Sequence, residues 1–181
     1  MKNSKIYSMT LIAVFAALIC IVSPFSIPIG LVPISLSSVV ILLSTYIIGY
    51  KRSVLSCLIY ILLGLVGLPV FASFTSGIGV ILGPTGGFII GYIPLIIISG
   101  LFINKFKNKW LHILGMGLGT IVLYIFGTTW FSVVNEVSFI YSLTICVLPF
   151  VLVDIIKIIV VISIGDIIKK RIKVNNYEKD L

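Results

Sequence analysis

Long apolar runs, broken by short clusters of turn residues and charges, make up nearly the whole chain. Six of them stand out, at about 6–23, 35–50, 53–63, 86–104, 110–131 and 141–168. A helix needs about 20 mainly apolar residues to cross the hydrocarbon core of a bilayer. The pattern therefore predicts an all-α integral membrane protein, a single transmembrane domain over residues 1–181 with six transmembrane helices. The second and third runs are short for a full crossing. Tilt, or continuation by the apolar loop that follows, completes them; the alternative is a five-helix chain in which these two form a re-entrant hairpin.

The stretch from Gly64 to Tyr92, GLVGLPVFASFTSGIGVILGPTGGFIIGY, breaks the pattern. Glycine permits positive φ or close backbone approach, and proline fixes φ and removes a donor. Residues 64–85 thus read as shaped, non-helical backbone carrying small hydroxyl residues (Ser73, Thr75, Ser76, Thr85). Phe71, Val80 and Ile81 make the segment too apolar for an ordinary solvated loop. Backbone of this kind is tolerated near a bilayer only where protein buries it or where it lines a cavity. It is expected to close over a ligand pocket.

Composition agrees with the pattern, since 60% of the residues are hydrophobic and 10% charged, against about 25% charged in soluble domains. The distribution of charge then fixes an expected topology. Lys2 and Lys5 precede the first run, Lys51 and Arg52 separate the second and third, and Lys105, Lys107 and Lys109 separate the fourth and fifth. Lys169, Lys170, Arg171, Lys173 and Lys179 follow the sixth. Twelve of the thirteen basic residues then lie on one side, which the positive-inside rule makes cytoplasmic, with both termini inside and the 64–85 loop outside. The net charge of +8 is accounted for by topology rather than by nucleic-acid binding. Cys20, Cys57 and Cys146 lie in apolar runs without a paired motif and read as core residues. The amino terminus lacks a small-residue cleavage site and reads as a first membrane helix. The tail 175–181 is polar and expected to fray.

Asp154 and the thirteenth basic residue, Lys157, are the ionisable pair inside an apolar run, PFVLVDIIKIIVVISIGD. At i and i+3 they share a helix face, about 4.5 Å apart along the axis. A charge at the centre of a membrane helix costs roughly 2.5–3.5 kcal/mol on insertion scales, which makes the pair a functional-site hypothesis by default. The bland alternative is mutual neutralisation that fastens this helix to a neighbour. The glycines form no dinucleotide fingerprint or phosphate loop. Gly83, Gly87 and Gly91, like Gly115 and Gly119, form four-residue ladders suited to close helix packing; Pro84 and Thr85 mark a helix start whose free amides could face the pocket. The small residues Ala13, Ala16 and Ala17 suit internal packing or docking equally. His112 beside Trp110 reads as interfacial. Trp130, Phe131 and Tyr141 suit an outer aromatic belt, although the Phe126–Trp130 run could instead face a cavity under the loop. No catalytic constellation, metal-ligand cluster or ATP-hydrolysing motif is visible, so an enzyme, a cofactor and autonomous ATP-driven transport are not expected.

With these residues laid out, the chain resembles the BioY family, the biotin-specific membrane (S) component of energy-coupling factor (ECF) transporters. GLPVFASFTSGIGVILGPTGG at 67–87 is similar to the family's G-L-P-V-F-A…G-x-G…G-P-T-G-G signature, supported by GTTW at 127–130 and PFVLVDIIK at 149–157. The resemblance implies a six-helix ECF S-component fold in the bacterial plasma membrane, holding biotin beneath the outer loops after helices 1 and 3. It implies docking on a transmembrane coupling subunit joined to two cytoplasmic ATPases, with Ala13 and Ala17 matching the helix-1 docking motif. It also puts Asp154 and Lys157 at the ligand. Where members can carry an asparagine after P-V-F-A this chain has Ser73, Phe74 and Thr75, and where a basic residue is found near G-P-T-G-G it has Phe88, so the resemblance implies Ser73, Thr75 and Phe88 as biotin contacts at the loop. Chemically, Asp154 can accept from ureido N–H groups, while Lys157 can donate to the ureido carbonyl or pair with the valerate carboxylate. Phe71, Tyr92 and Trp130 can supply apolar walls. The alternatives are the same scaffold with another vitamin, or a membrane scaffold that transports nothing.

Overall fold

The computed structural model describes residues 2–27 and 32–172. Lys173, Lys179 and the tail 175–181 lie outside the described residues. The elements in chain order are α1 (Lys2–Val22), a two-stranded antiparallel pair β1 (Ser26–Ile27) and β2 (Ile34–Ser35), α2 (Ser37–Ile48) and α3 (Tyr50–Leu65). A 3₁₀ turn (Ala72–Phe74) and α4 (Ile78–Leu82) follow, then α5 (Gly86–Lys105), α6 (Lys109–Val134), α7 (Phe139–Cys146) and α8 (Leu148–Ile172).

The predicted runs map onto these elements with three differences. First, α2 and α3 meet at the single residue Gly49, whose φ of 80° is one that glycine adopts without a Cβ penalty, so Tyr50 belongs to the third helix rather than the second. Second, the run 141–168 is two helices, α7 and α8, bent by 43°. Pro149 accounts for the break: it lacks an N–H and clashes with the preceding turn, so it sits at the start of a new helix where its missing donor costs nothing. Third, residues 64–85 hold the 3₁₀ turn and α4 rather than wholly irregular backbone. Among the described residues, three helices are long and apolar enough to cross a membrane, or four with the α7–α8 pair counted as one span.

α2 is only 12 residues long, about 18 Å, and ten of its residues are buried. A helix without a charge on any face suits the middle of a bundle, and α2 packs against α1, α3, α5 and α8. The glycine ladders bring α5 and α6 together. A Cβ on Gly87 would stand 2.3 Å from Trp130 Cβ, and one on Gly115 would stand 2.3 Å from Phe102 Cβ, so packing explains both positions. Phe131 is buried rather than belted at an interface.

The helix ends gather at two poles. At one, Ser23 at the end of α1 bonds Tyr60 near the end of α3, Ser37 at the start of α2 bonds Tyr92 of α5, and Trp130 near the end of α6 bonds Gly83 before α5. At the other, Asp166 of α8 accepts from Tyr46 of α2 and pairs with Lys109 of α6, while Tyr50 of α3 packs on Gly100 of α5. His112 also lies here, its Nε2 2.7 Å from the Phe106 carbonyl. Lys51, Arg52, Lys107 and Lys169 line one hollow at this second pole.

Candidate functional site

At the first pole a cavity of about 350 Å³ is lined by α2, α3, α5, α6, α8 and the two loops that follow α1 and α3. Its floor is the Asp154–Lys157 pair. One helical turn brings Lys157 Nζ within 2.9 Å of Asp154 Oδ1, with side-chain exposures of 8% and 13% that leave little water to screen them. Lys157 also donates to the Ser35 carbonyl at 3.0 Å and to Ser38 Oγ at 3.1 Å. All three ammonium donors thus have acceptors. Tyr124 on α6 donates to the other carboxylate oxygen, Asp154 Oδ2, at 2.5 Å. Buried charge of this sort persists only when paired and hydrogen-bonded, and the partners come from three elements: β2, α2 and α6.

The walls are apolar with hydroxyl edges. Phe71 is fully buried, its ring lying edge-on to Tyr60 at 5.5 Å and against the bare α-carbon of Gly64. Phe88 fills the notch left by Gly127 and turns its remaining surface to the cavity. A row of hydroxyls runs along one side: Tyr92 to Ser37 at 2.5 Å, Ser37 to Ser35 at 2.9 Å, and Ser23 to Tyr60 at 2.7 Å. At the loop end the lining includes Ser73, Thr75 and Thr85, the first two exposed. The two loops are tied together there. Ser73 N donates to Ser26 Oγ at 3.0 Å and to the Pro24 carbonyl at 3.0 Å, and Phe25 meets Phe74 edge-on. Ser73 and Phe74 have φ of 57° and 59°, a left-handed pair of non-glycine residues. Such conformations persist only where the surroundings hold them.

Seven of the expected residues therefore line one cavity: Asp154, Lys157, Phe71, Ser73, Thr75, Phe88 and Tyr92. Trp130 does not line it. Its indole Nε1 donates to the Gly83 carbonyl at 2.9 Å, which fastens the segment before α5 to α6. Thr128 lines a separate apolar hollow between α6 and the α7–α8 bend. Ala13 and Ala17 are exposed on α1, whose Phe15, Ala16 and Ile19 face the bundle instead, so internal packing does not explain the pair. Sequence reasoning missed Tyr124, Tyr60 and the serines 23, 35, 37 and 38. The available signal was PISLSS, three serines crowded at the edge of an apolar run. Nothing local distinguishes Tyr124 from other membrane aromatics.

A model of the BioY family matches residues 1–174. Among curated proteins, the chain is 38% identical to biotin transporter BioY2 of Lactococcus lactis subsp. cremoris, over 91% of each chain. It is 37% identical to biotin transporter BioY of Thermotoga maritima, over 87% of this chain and 92% of that one. A crystal structure of the S-component for biotin from an ECF-type ABC transporter superimposes with a TM-score of 0.88 and 29% identity, covering 94% of each chain. Matches of this extent, in sequence and in fold, show that the chain belongs to the BioY family.

Proposed function

We propose that this chain captures biotin from outside the cell and, docked on a transmembrane coupling subunit driven by two cytoplasmic ATPases, delivers it inward. The observation that carries the reading is the Asp154–Lys157 floor, the one charged pair in a cavity whose described walls are apolar with hydroxyl edges. An adjacent acceptor and cationic donor match the N–H and carbonyl groups of a ureido ring, and the aromatic walls suit a bicycle with an aliphatic chain. The cavity lies within the usual range of small-ligand sites, about 300–1,000 Å³. The chain is a multi-pass protein of the bacterial plasma membrane. In the proposed topology it crosses six times with both termini inside, α2 and α3 serving as two short crossings and α7–α8 as one bent one. The exposed Ala13–Ala17 stripe of α1 is the proposed docking face.

Binding by the purified protein tests this reading. Biotin should bind saturably and resist competition by thiamine or riboflavin, and Lys157→Ala or Asp154→Ala should each weaken it strongly. Displacement by another vitamin would transfer the scaffold to that ligand. Absence of any saturable ligand would leave only a structural role for the charged pair.

A further inference from the structure

The two ends of the cavity differ in charge, and the difference bears on which biotin compounds the site accepts; the argument rests on the reading of the cavity as a biotin site. At the floor, Lys157 is already bonded to Asp154, the Ser35 carbonyl and Ser38. A ligand carboxylate brought to Lys157 would displace one of these acceptors and stand beside the Asp154 carboxylate. Two carboxylates sharing one weakly solvated site repel. A ureido carbonyl must displace one of these acceptors as well, but it brings no negative charge, and the N–H groups beside it can donate to Asp154. The ring end therefore belongs at the floor, and the valerate carboxylate reaches the loop end.

There the lining is neutral. Ser73, Thr75 and Thr85 contribute hydroxyls, and among the described lining residues Lys157 is the one cation. A hydroxyl can donate to a carboxylate, an ester or an amide. Its bond to a carboxylate is charge-assisted and the strongest of the three, but a full opposite charge, which would discriminate far more, is lacking at this end among the described lining residues. Ser73 and Thr75 are also exposed while lining the cavity, so among the described residues the cavity meets the outside at this end. We infer that recognition is confined to the ureido ring and that the site takes uncharged or extended tail derivatives of biotin, its esters and secondary amides, as ligands alongside the free acid.

The test is displacement of labelled biotin from the full-length protein in detergent. Competitors altered at the tail are biotin methyl ester and the amide of biotin with the lysine side chain; the competitor altered at the ring is an N-methylated ureido analogue. Tail derivatives should compete within about tenfold of biotin and the ring analogue should fall at least about hundredfold behind, the step per tenfold being about 1.4 kcal/mol. An ester more than about tenfold weaker than biotin, or a ring analogue that competes as well as biotin, overturns the inference while leaving the biotin reading in place. If labelled biotin does not bind at all, the parent reading fails instead. The two failures are thus separable.

Discussion

Lys157 and Asp154 form a pair whose removal should reveal its energetics as much as its function. Desolvating both charges is expensive, so breaking the pair by neutralising one partner costs about 3–5 kcal/mol, whereas replacing both with uncharged residues is often neutral or stabilising. Asp154→Asn alone should therefore lower the unfolding temperature and abolish biotin binding, while Asp154→Asn with Lys157→Met should recover the stability without recovering the ligand. Thermal unfolding with and without biotin reads both effects; a double variant that still binds biotin contradicts the site. Tyr124 is the second residue to probe, because its hydroxyl fixes Asp154 Oδ2. Tyr124→Phe should weaken biotin by about tenfold, on the order of one hydrogen bond to a charged group. Unchanged affinity would make Tyr124 a bystander. The Asp–Lys pair itself was legible in the sequence because an i, i+3 spacing is local and charges are conspicuous in an apolar run. Ser35, Ser38 and Tyr124 were not, since each meets the pair from a separate element and only the tertiary fold joins them.

At the level of elements, the loop between α3 and α5 is shaped by close packing from both sides. A Cβ on Gly64 would fall 2.1 Å from Phe71 Cζ, so Gly64→Ala must push the Phe71 ring out of the cavity wall. Overpacking of this kind costs about 1–3 kcal/mol, and biotin affinity should fall with it. Gly117 is the control: a Cβ there meets nothing within 4 Å, so Gly117→Ala should be neutral or stabilising, by up to about 1 kcal/mol. Equal behaviour of the two variants would contradict the packing account. On the other side of the loop, Trp130→Phe removes the bond to the Gly83 carbonyl. As Trp130 does not line the cavity, the expected outcome is faster biotin dissociation with the ranking of competitors unchanged. A changed ranking would return Trp130 to the ligand. The glycine and proline content of 64–85 revealed a shaped segment but not its form, because the left-handed turn at Ser73 and Phe74 is imposed by Pro24 and Ser26 of the other loop. The α7–α8 break was likewise hidden by unbroken hydrophobicity, although Pro149 marks it in retrospect.

Over the whole molecule, charge and cavity lie at opposite poles. Lys51, Arg52, Lys107 and Lys169 line a hollow at one end, and the ligand cavity with its loops occupies the other. Under the positive-inside rule the basic pole faces the cytoplasm. Cysteines placed at Ser138 and Lys107, in a background free of Cys20, Cys57 and Cys146, test that orientation on intact cells. A membrane-impermeant maleimide should label position 138 and spare 107; the reverse would invert the proposed topology. The six apolar runs made the helical membrane class readable from sequence. The burial of α2 at the centre was not, because a short uncharged helix looks much the same in sequence whether lipid or protein surrounds it. The central claim is that biotin binds over the Asp154–Lys157 floor, and thermal unfolding of the purified protein with saturating biotin tests it most directly. A ligand that binds only the folded state stabilises it by about 2.7 kcal/mol at a hundred times its Kd. The wild type should therefore unfold at a higher temperature with biotin but not with thiamine or riboflavin, and the Asp154→Asn, Lys157→Met variant should not respond. No shift in the wild type, or an equal shift in the double variant, would contradict the account.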